Sequence, residues 1–386
     1  MLDIFSQDNS IVVGVSASFL VSLVLTGIII PKILLIAYRR NLFDIPDARK
    51  IHKSAVPRLG GMAFVPSLLF AVCLIVGFFN FPSCSDVSEV LISSSMARGL
   101  CFSVCGLLLL YLVGIADDLV GVLYRAKFVV QLIAASLLVC GGIWINNLDG
   151  FCGIYAWPDV CGCMLTLLVA VFFVNAINLI DGIDGLASGL SAVAMAFYGV
   201  VFALGGETVN AMIAFATLGT LVQFFYYNVF GNAKMGKKIF MGDTGSLCIG
   251  FILTYLSVSL THNPVLHDSQ WNSVVVAFSP MLVPCFDTLR VFFGRIRAGK
   301  SPFLPDKTHM HHKLLRLGMS TPAAMINILC LSLAFIVVNV LLSPYINSAI
   351  LLLGDLVVWT VYHLLLDARI KRYEAAHPTT KPLAQK

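Results

Sequence analysis

Long apolar runs alternate with short polar segments along the whole chain of 386 residues. A helix needs about 20 apolar residues to cross the hydrocarbon of a bilayer, and eleven runs approach that length. They lie at about 11–37, 62–81, 98–116, 127–146, 162–178, 186–204, 208–227, 246–261, 273–293, 322–342 and 347–367. The pattern predicts an all-α fold, a polytopic integral membrane bundle of about 11 transmembrane helices.

The composition excludes a soluble globular domain. Hydrophobic residues make up 59% of the chain and charged residues only 12%, which is about half the charged fraction of an average soluble domain. No polar connection is long enough to fold by itself, so we expect one membrane domain over residues 1–386 with a cytoplasmic tail at 368–386. The first apolar run is too long for a signal peptide, so we expect it to be retained as a helix.

Lysine and arginine mark one face of the predicted bundle. They fall almost entirely in odd-numbered connections between helices, and only Arg98 lies on the opposite side. Because these residues concentrate in cytoplasmic loops, the alternation predicts an outside N-terminus and a cytoplasmic C-terminus. The net charge of +5 follows from the same bias, so we expect membrane lipids as neighbours and no nucleic acid as a partner.

Most of the eleven cysteines lie inside apolar runs, where they act as small hydrophobic residues. Cys152, Cys161 and Cys163 lie in or beside an outer connection, and whether a disulfide forms there stays open. The Cys161-Gly-Cys163 segment has no second cysteine pair nearby, so it does not indicate a zinc site.

Five aspartates lie where apolar runs meet polar connections, namely Asp117, Asp118, Asp181, Asp184 and Asp243. A charge at the bilayer centre costs about 2.5–3.5 kcal/mol on insertion scales, so membrane proteins rarely keep one without a function. The predicted topology places all five at the cytoplasmic face. Each has an ordinary structural explanation when taken alone, since Asp243 could cap a helix and Asp181 and Asp184 could form a turn.

Carboxylates from separate helix ends suit Mg²⁺, which is usually held by one or two carboxylates together with substrate phosphates. Adjacent helical residues point about 100° apart, so we do not expect Asp117 and Asp118 to hold the same ion. Glycines flank Asp181, Asp184 and Asp243, and free N–H groups at the start of the eighth helix would face a phosphate. The pattern predicts a site for a divalent cation and phosphates.

Two cytoplasmic connections carry candidate phosphate-binding side chains. The first contains Lys53 and Arg58 between prolines and glycines, although the positive-inside bias alone would also explain these charges. The last contains His309, His311 and His312 before a short amphipathic helix. These imidazoles could bind a pyrophosphate or act as acid or base, bind zinc, or be structural. Phosphate handling is favoured, because no cysteine is near and adjacent histidines cannot easily share one ion.

Two further aspartates lie inside apolar runs. Asp287 has Arg290 three residues later, which favours an ion pair at the edge of the bundle, and a supporting role for the site is the alternative. The sequence suggests no role for Asp355. No nucleophile elbow, Walker motif or dinucleotide fingerprint is present.

Five segments together resemble one known family. They are DIPDARKIHKSAVPRLGG at 44–61, ADD at 116–118, NAINLIDGIDGLASG at 175–189, FMGDTGS at 240–246 and SPFLPDKTHMHH at 301–312. They make the chain similar to the polyprenyl-phosphate N-acetylhexosamine-1-phosphate transferases, glycosyltransferase family 4. The His-x-His-His spacing resembles the WecA/TagO-like branch, the undecaprenyl-phosphate N-acetylglucosamine-1-phosphate transferases. The motifs span about residues 30–320.

The resemblance implies roles for individual residues. It implies that Asp117 and Asp118 are catalytic carboxylates near the lipid phosphate, and that Asp243 is the metal ligand, with Asp181 lining the same site. The residues that it implies for substrate binding are Lys53, Arg58, Asn178, Asp181, Asp184 and Phe240. The catalytic loop that it implies on the sugar-phosphate side carries His309, His311 and His312.

The resemblance also implies a reaction. The family transfers a HexNAc-1-phosphate, here expected to be GlcNAc-1-phosphate, from the UDP-sugar to undecaprenyl phosphate and releases UMP. It needs Mg²⁺, for which Mn²⁺ could substitute. The step starts lipid-linked envelope polysaccharides such as O-antigen at the cytoplasmic face of the bacterial inner membrane, and a homodimer would suit the family. In-line attack and a covalent aspartyl intermediate both stay open.

Two other classes of protein stay open on the residues alone. An Mg²⁺-dependent intramembrane prenyltransferase would be expected to carry two DxxxD-like motifs, which the spacing of Asp181 and Asp184 does not match. A transporter would place its carboxylates near the midplane, on broken and repeat-related helices, whereas the aspartates here lie at helix ends and no internal repeat is visible.

Overall fold

A computed structural model describes residues 2–43, 56–79, 93–151, 153–262, 273–301 and 308–377. Helices form almost all of its regular structure. They are α1 (Leu2–Arg40), α2 (Phe64–Phe79), α3 (Ser94–Val120), α4 (Tyr124–Cys140), α5 (Asp159–Ile180), α6 (Leu186–Leu204), α7 (Thr208–Phe225), α8 (Gly242–Leu260), α9 (Ser273–Phe278), α10 (Leu282–Arg297), α11 (Met310–Arg316), α12 (Thr321–Leu342) and α13 (Ser348–Ala376). Short helical turns precede α2 at Gly60–Ala63, extend α7 at Tyr226–Phe230 and join α9 to α10 at Ser279–Met281.

Within the described part of the chain, ten helical segments are long and apolar enough to cross a membrane. The prediction of a polytopic membrane helix bundle is therefore confirmed. The one predicted run without a counterpart among these ten is the fourth, at 127–146, which overlaps α4, a helix of only 17 residues. The count of eleven spans and the orientation of the termini stay predictions.

Helix α4 nevertheless runs alongside α3 over its whole length. The turn between them begins at Gly121, whose φ of +76° suits glycine. Lys127 at the start of α4 contacts Asp117 at the end of α3, and Gly141 after α4 packs against Gly99 near the start of α3. The two helices are therefore antiparallel and cover the same thickness of the bundle.

The predicted elements need two corrections. Residues after α4 form an antiparallel hairpin of two strands, β1 (Asn147–Phe151) and β2 (Ile154–Ala156), so the fold is not purely α-helical. Gly150 and Gly153 have positive φ values in the tight turn, which a search for long apolar runs does not detect. The ninth run, predicted as one segment over 273–293, is interrupted at Ser279–Met281 because Pro280 has no N–H to donate.

The centre of the bundle is α8. Of its 19 residues, 17 are buried, and it packs against α3, α5 and α6. Membrane helices associate through close contacts between small residues, and two glycines show this here. A Cβ atom on Gly250 would lie 2.6 Å from Cα of Val174 in α5, and one on Gly114 of α3 would lie 2.4 Å from Cα of Thr244. This packing holds the first turn of α8 between the ends of α3 and α5.

Candidate active site

The aspartate-bearing segments meet at one end of the bundle. The last turn of α3 carries Asp117 and Asp118, and the first turn of α8 carries Asp243. The N–H group of Asp243 donates a 2.8 Å hydrogen bond to Oδ1 of Asp118. Asn178 near the end of α5 donates a 2.6 Å bond to Oδ1 of Asp243. Three helix ends that are far apart in sequence therefore converge, and the predicted grouping of these residues agrees with the structure.

Asp118 binds the start of α8. Its two oxygens accept hydrogen bonds from Asp243 N, Thr244 N and Thr244 Oγ1 at 2.8, 2.9 and 2.6 Å. The first N–H groups of a helix have no partner within the helix and attract negative charge, so a carboxylate from α3 stabilises them here. Gly242 allows this approach, because its φ is +75° and a Cβ atom would lie 2.6 Å from Oδ2 of Asp118.

Asp117 has different partners from its neighbour, as expected for adjacent side chains on a helix. Its Oδ1 accepts a 2.7 Å bond from Val122 N, and its Oδ2 lies 2.9 Å from Nζ of Lys127. The same ammonium group lies 3.1 Å from Oδ2 of Asp243. Lys127 therefore lies between two carboxylates from two different helices.

Asp243 is the common member of these contacts. It is not the N-cap of α8, a position that Met241 occupies, so the capping explanation for this residue is wrong. Its carboxylate instead contacts Lys127 and Asn178, and Asn178 also donates a 2.8 Å bond to Ser246 Oγ. The side chain of Asp243 keeps 29% exposure, so an ion or phosphate can reach it.

The loop between α5 and α6 is fixed at the C-terminal end of its DGIDG segment. Asp184 pairs with Lys238 at 2.5 Å. Gly185 adopts a left-handed conformation, with φ of 78°, just before α6. Its N–H group donates a 2.7 Å bond to Oδ1 of Asn228, whose amide in turn donates to Ile239 O at 2.9 Å. The loop is thus attached to the segment that leads into α8.

Asp181 lies inside this arrangement. Its side chain is exposed to water but densely surrounded by protein, so it lines a cleft and does not lie on the outer surface. Burial raises the pKa of Asp181 to about 7; Arg58 opposes the shift, and the charges of Asp243, Asp184 and Asp118 add to it. A carboxyl group with a pKa of about 7 is only partly ionised at neutral pH, and a nearby positive charge favours its ionised form.

Two more of the predicted substrate-binding residues, Phe240 and Arg58, lie in neighbouring segments of the structure. Phe240 N donates to Pro57 O and Gly60 N donates to Phe240 O, each at 2.9 Å, so the strand-like segment before α8 runs beside the first loop. Arg58 in that loop is exposed and is close enough to act on Asp181. Phe240 is half-buried. Lys53 lies outside the described residues.

The histidines of the last loop reach the same end of the bundle. The ring of His311 is 1% exposed and packs directly on Gly182, where a Cβ atom would lie 2.3 Å from Nε2. The ring centroids of His311 and His312 are 4.2 Å apart. Burial lowers the pKa of His311 to about 3, and the neighbouring His312 and His309 add to the shift. His311 is therefore a neutral side chain that joins α11 to the DGIDG loop.

Helix α11 is also held from its other side. Lys313 Nζ lies 2.7 Å from Oδ1 of Asp367, and Arg316 lies 2.8 Å from Glu374. Both acidic residues belong to the last turns of α13. At the N-terminal end of α11, His309 Nδ1 lies 2.8 Å from Oδ2 of Asp287, and Asp287 also pairs with Arg290 at 2.7 Å, as its spacing predicted.

The carboxylates of the site supply only some of the ligands that a magnesium ion needs. Among the described residues, no three His, Cys, Asp or Glu side chains are grouped as a complete metal site. However, Asp117 and Asp243 already share one cation, the Lys127 ammonium. This agrees with a site in which one or two carboxylates act together with substrate phosphates.

The sequence alone does not indicate that Lys127 and Gly182 belong to the site, and it offers a supporting role for Asp287 only as the alternative to an ion pair. Lys127 is one of the charges in the odd-numbered connections, and its position in the first turn after the helix that carries Asp117 is the signal that could have identified it. For Asp287 the sequence favours the ion pair with Arg290, and the contact with His309, 22 positions away, becomes visible only in the structure. Gly182 gave no signal beyond belonging to a turn.

Comparison with known proteins identifies the family of the chain. The model of Glycosyl transferase family 4 matches residues 100–261. The probable undecaprenyl-phosphate N-acetylglucosaminyl 1-phosphate transferase of Bacillus subtilis (strain 168) is 30% identical over 318 residues, which cover 80% of this chain and 79% of that protein.

The chain belongs to glycosyl transferase family 4.

Two more family 4 relatives have similar coverage. The undecaprenyl-phosphate alpha-N-acetylglucosaminyl 1-phosphate transferases of Salmonella typhi and Escherichia coli O157:H7 are 30% and 28% identical. Each match covers 75% of this chain and 74% of the relative. The resemblance inferred from the motifs is therefore confirmed. The range matched by the family 4 model contains the carboxylates of α3, the DGIDG loop and Asp243.

Proposed function

We propose that this family 4 protein transfers a HexNAc-1-phosphate, with GlcNAc-1-phosphate first, from the UDP-sugar to undecaprenyl phosphate and releases UMP. The names of its relatives support the acceptor and the sugar phosphate. The observation that carries the proposal is the placement of Lys127 within 2.9 Å of Asp117 and 3.1 Å of Asp243. The two carboxylates share one positive charge here, the Lys127 ammonium. A positive charge held at this position would bind the phosphates of the substrates at this end of the bundle.

The reaction is an in-line phosphoryl transfer. An oxygen of the lipid phosphate forms a bond to the β-phosphorus of the UDP-sugar, while the bond from that phosphorus to the bridging oxygen breaks and UMP leaves with the electron pair. Such transfers depend mainly on positioning and on neutralising charge. The protein therefore needs cationic groups and N–H donors more than a strong nucleophile.

The two carboxylates of α3 have different roles in this scheme. Both oxygens of Asp118 bind the first turn of α8, so Asp118 positions Asp243. Asp117 is held by one backbone N–H group and by Lys127, so it is the carboxylate that meets the lipid phosphate. The second pKa of a phosphate monoester is about 6, so this phosphate is largely ionised at neutral pH and needs little help from a base.

Mg²⁺ would be held by Asp243, with Asp117 and Asp181 nearby, and it would supply positive charge to the pyrophosphate. Lys127 would then turn towards a phosphate oxygen. Arg58, Lys53 and Phe240 would bind the nucleotide, and the histidine loop would bind the sugar-phosphate side. Mn²⁺ has the same preference for oxygen ligands and would replace Mg²⁺.

The proposal also includes the location of the reaction. Positive residues concentrate at the end of the bundle that carries the site, which supports a cytoplasmic site with the N-terminus outside and eleven crossings of the bacterial inner membrane. The product would start a lipid-linked envelope polysaccharide. A homodimer stays an expectation from the family.

The test is UMP release by the purified protein in lipid. The assay would combine undecaprenyl phosphate, Mg²⁺ and a panel of UDP-HexNAc donors, and we expect UMP to form fastest with UDP-GlcNAc. Without the lipid acceptor, no UMP should form. A prenyltransferase would ignore the UDP-sugar, and a transporter would release no UMP.

The Asp243→Asn variant tests the cluster itself. We expect it to lose nearly all UMP release, because the carboxylate shared by Lys127 and Asn178 would be gone. The matched control is Asp159→Asn, at an exposed aspartate in the first turn of α5 at the opposite end of the bundle. Near-normal activity of the Asp243 variant would make the assignment wrong.

A further inference from the structure

Asp287 is a charged residue whose side chain is completely buried. It lies in the second turn of α10, directly after Phe286. A buried carboxylate is costly unless hydrogen bonds and opposite charges compensate it. Asp287 has several such partners, and they do more than stabilise α10.

The partners of Asp287 fix the start of α11. Its Oδ1 accepts a 2.7 Å bond from Arg290 Nη2 and a 3.0 Å bond from Met310 N. Arg290 Nη2 also donates to Thr308 O at 2.6 Å. The second oxygen, Oδ2, lies 2.8 Å from Nδ1 of His309. An ion pair between Asp287 and Arg290 needs only one of these contacts, so the others have a different effect.

That effect concerns the ring of His309. An ionised carboxylate only accepts hydrogen bonds, so the Nδ1 atom beside Oδ2 must carry a proton. His309 is 6% exposed, and Nε2 is then the ring nitrogen that remains for a substrate. Carboxylates that bind one nitrogen of a functional histidine are known to fix both its tautomer and its orientation.

We infer that Asp287 is a positioning residue, which holds His309 in the tautomer and orientation that present Nε2 to the phosphates of the substrate. The inference rests on the proposed function for the identity of that substrate. The carboxylate of Asp287 also stabilises His309 when both ring nitrogens carry a proton and Nε2–H binds a phosphate oxygen. The ring is then positively charged, and the negative charge of the carboxylate lies beside Nδ1–H.

The Asp287→Asn variant reverses the tautomer without changing the shape of the side chain. Met310 N and Arg290 Nη2 are both donors, so the amide oxygen of the asparagine has to face them. Its NH₂ group then faces Nδ1 of His309, which can accept that bond only without a proton. The proton of the ring therefore moves to Nε2.

The first measurement is the tautomer of His309 by ¹⁵N NMR of the full-length protein, with the signal identified by its absence in His309→Gln. In the wild type we expect a proton on Nδ1, and in Asp287→Asn we expect a neutral ring with the proton on Nε2. A wild-type ring with its only proton on Nε2 would overturn the inference. This measurement does not depend on enzymatic activity, and its wild-type result decides the inference even if the variant folds poorly.

The second measurement is UMP release by Asp287→Asn, His309→Gln and the double variant. Loss of the correct tautomer costs up to about 10⁴-fold in a comparable carboxylate–histidine pair, and we expect at least about tenfold here. If Asp287 acts through His309, the double variant should be no slower than His309→Gln. Wild-type activity in Asp287→Asn, or losses that multiply in the double variant, would contradict the inference.

The matched control is Asp355→Asn in α13. Asp355 is also a buried aspartate, and its Oδ2 accepts a 2.9 Å bond from Asn339, but it has no contact with a histidine of the site. It should keep wild-type activity. If the wild type itself released no UMP from any donor, the proposed function would be wrong, whereas the NMR result would still decide the role of Asp287.

Discussion

Nζ of Lys127 lies 3.1 Å from Oδ2 of Asp243, although the two residues are 116 positions apart in the chain. The same nitrogen lies 2.9 Å from Oδ2 of Asp117. One positive charge thus faces two negative charges, and the group keeps a net negative charge. Opposite charges at this distance favour each other's charged forms, so the lysine holds the two carboxylates together while leaving charge for a divalent cation to neutralise.

The Lys127→Gln variant should be less stable than the wild type and should recover with Mg²⁺. Without the lysine, Asp117 and Asp243 repel each other, and removing one partner from a buried ion pair costs about 3–5 kcal/mol. The cost should be smaller here, because the three side chains keep 11–29% exposure. Thermal unfolding with and without Mg²⁺ measures the effect.

The control for this variant is Lys234→Gln, which changes an exposed lysine in the loop after α7. Its unfolding temperature should match the wild type under both conditions. The lysine and Mg²⁺ are expected to compete for the same two carboxylates. An equal change of unfolding temperature with Mg²⁺ in Lys127→Gln and in the wild type would contradict that competition.

Asp118→Asn and Asp117→Asn should differ in stability although both should lose activity. Asp118 accepts three hydrogen bonds from the start of α8, and an asparagine there would turn its NH₂ group towards a backbone donor. A buried donor without a partner costs about 1–3 kcal/mol, so Asp118→Asn should unfold several degrees lower. Asp117→Asn leaves Lys127 paired with Asp243 and should unfold near the wild-type temperature. The reverse order in thermal unfolding would contradict these separate roles.

The helices and the grouping of the aspartates could be predicted because their signals are local. Apolar runs identify membrane helices by length alone, and the alternation of lysine and arginine places the aspartate-bearing ends together. The resemblance to family 4 then separated Asp243 from Asp117 and Asp118. These separate roles stay predictions, and what the structure adds is the contact of Asp118 with the first turn of α8.

The contacts that complete the site could not be predicted, because they join residues far apart in sequence. In the sequence, Lys127 resembles any other lysine of a polar connection, and only the folding of α4 back along α3 brings it to Asp117 and Asp243. Asp287 and His309 belong to separate elements that α13 also holds in place. The hairpin at Asn147–Ala156 depends on two glycines with positive φ, which a search for apolar periodicity overlooks.

Gly182→Ala should reduce activity through His311. A Cβ atom at residue 182 would lie 2.3 Å from Nε2 and 2.4 Å from Cε1 of His311, so the imidazole would have to move and α11 with it. We expect UMP release to fall at least about tenfold, since small displacements of catalytic groups cost as much as 10²-fold.

Gly294→Ala in α10 is the matched control, because a Cβ atom there meets nothing within 4 Å. That change should preserve activity and stabilise the helix by about 0.5–1 kcal/mol. Equal activity in the two variants would contradict the contact between Gly182 and His311.

Protonation of His311 should destabilise the protein below neutral pH. Burial holds the pKa of this residue at about 3 in the folded state, and His312, His309 and Arg290 lower it while Asp287 opposes them. An unfolded histidine has a pKa of about 6.5, so the unfolded state binds more protons between these values and stability falls as the pH falls below about 6.5. From pH 7 to pH 5 the loss should be about 2 kcal/mol. The measurement is thermal unfolding of the wild type and His311→Gln at both pH values, which cancels the contribution of other groups. The wild type should lose more stability than the variant, and parallel losses would show that His311 is not held neutral against Gly182.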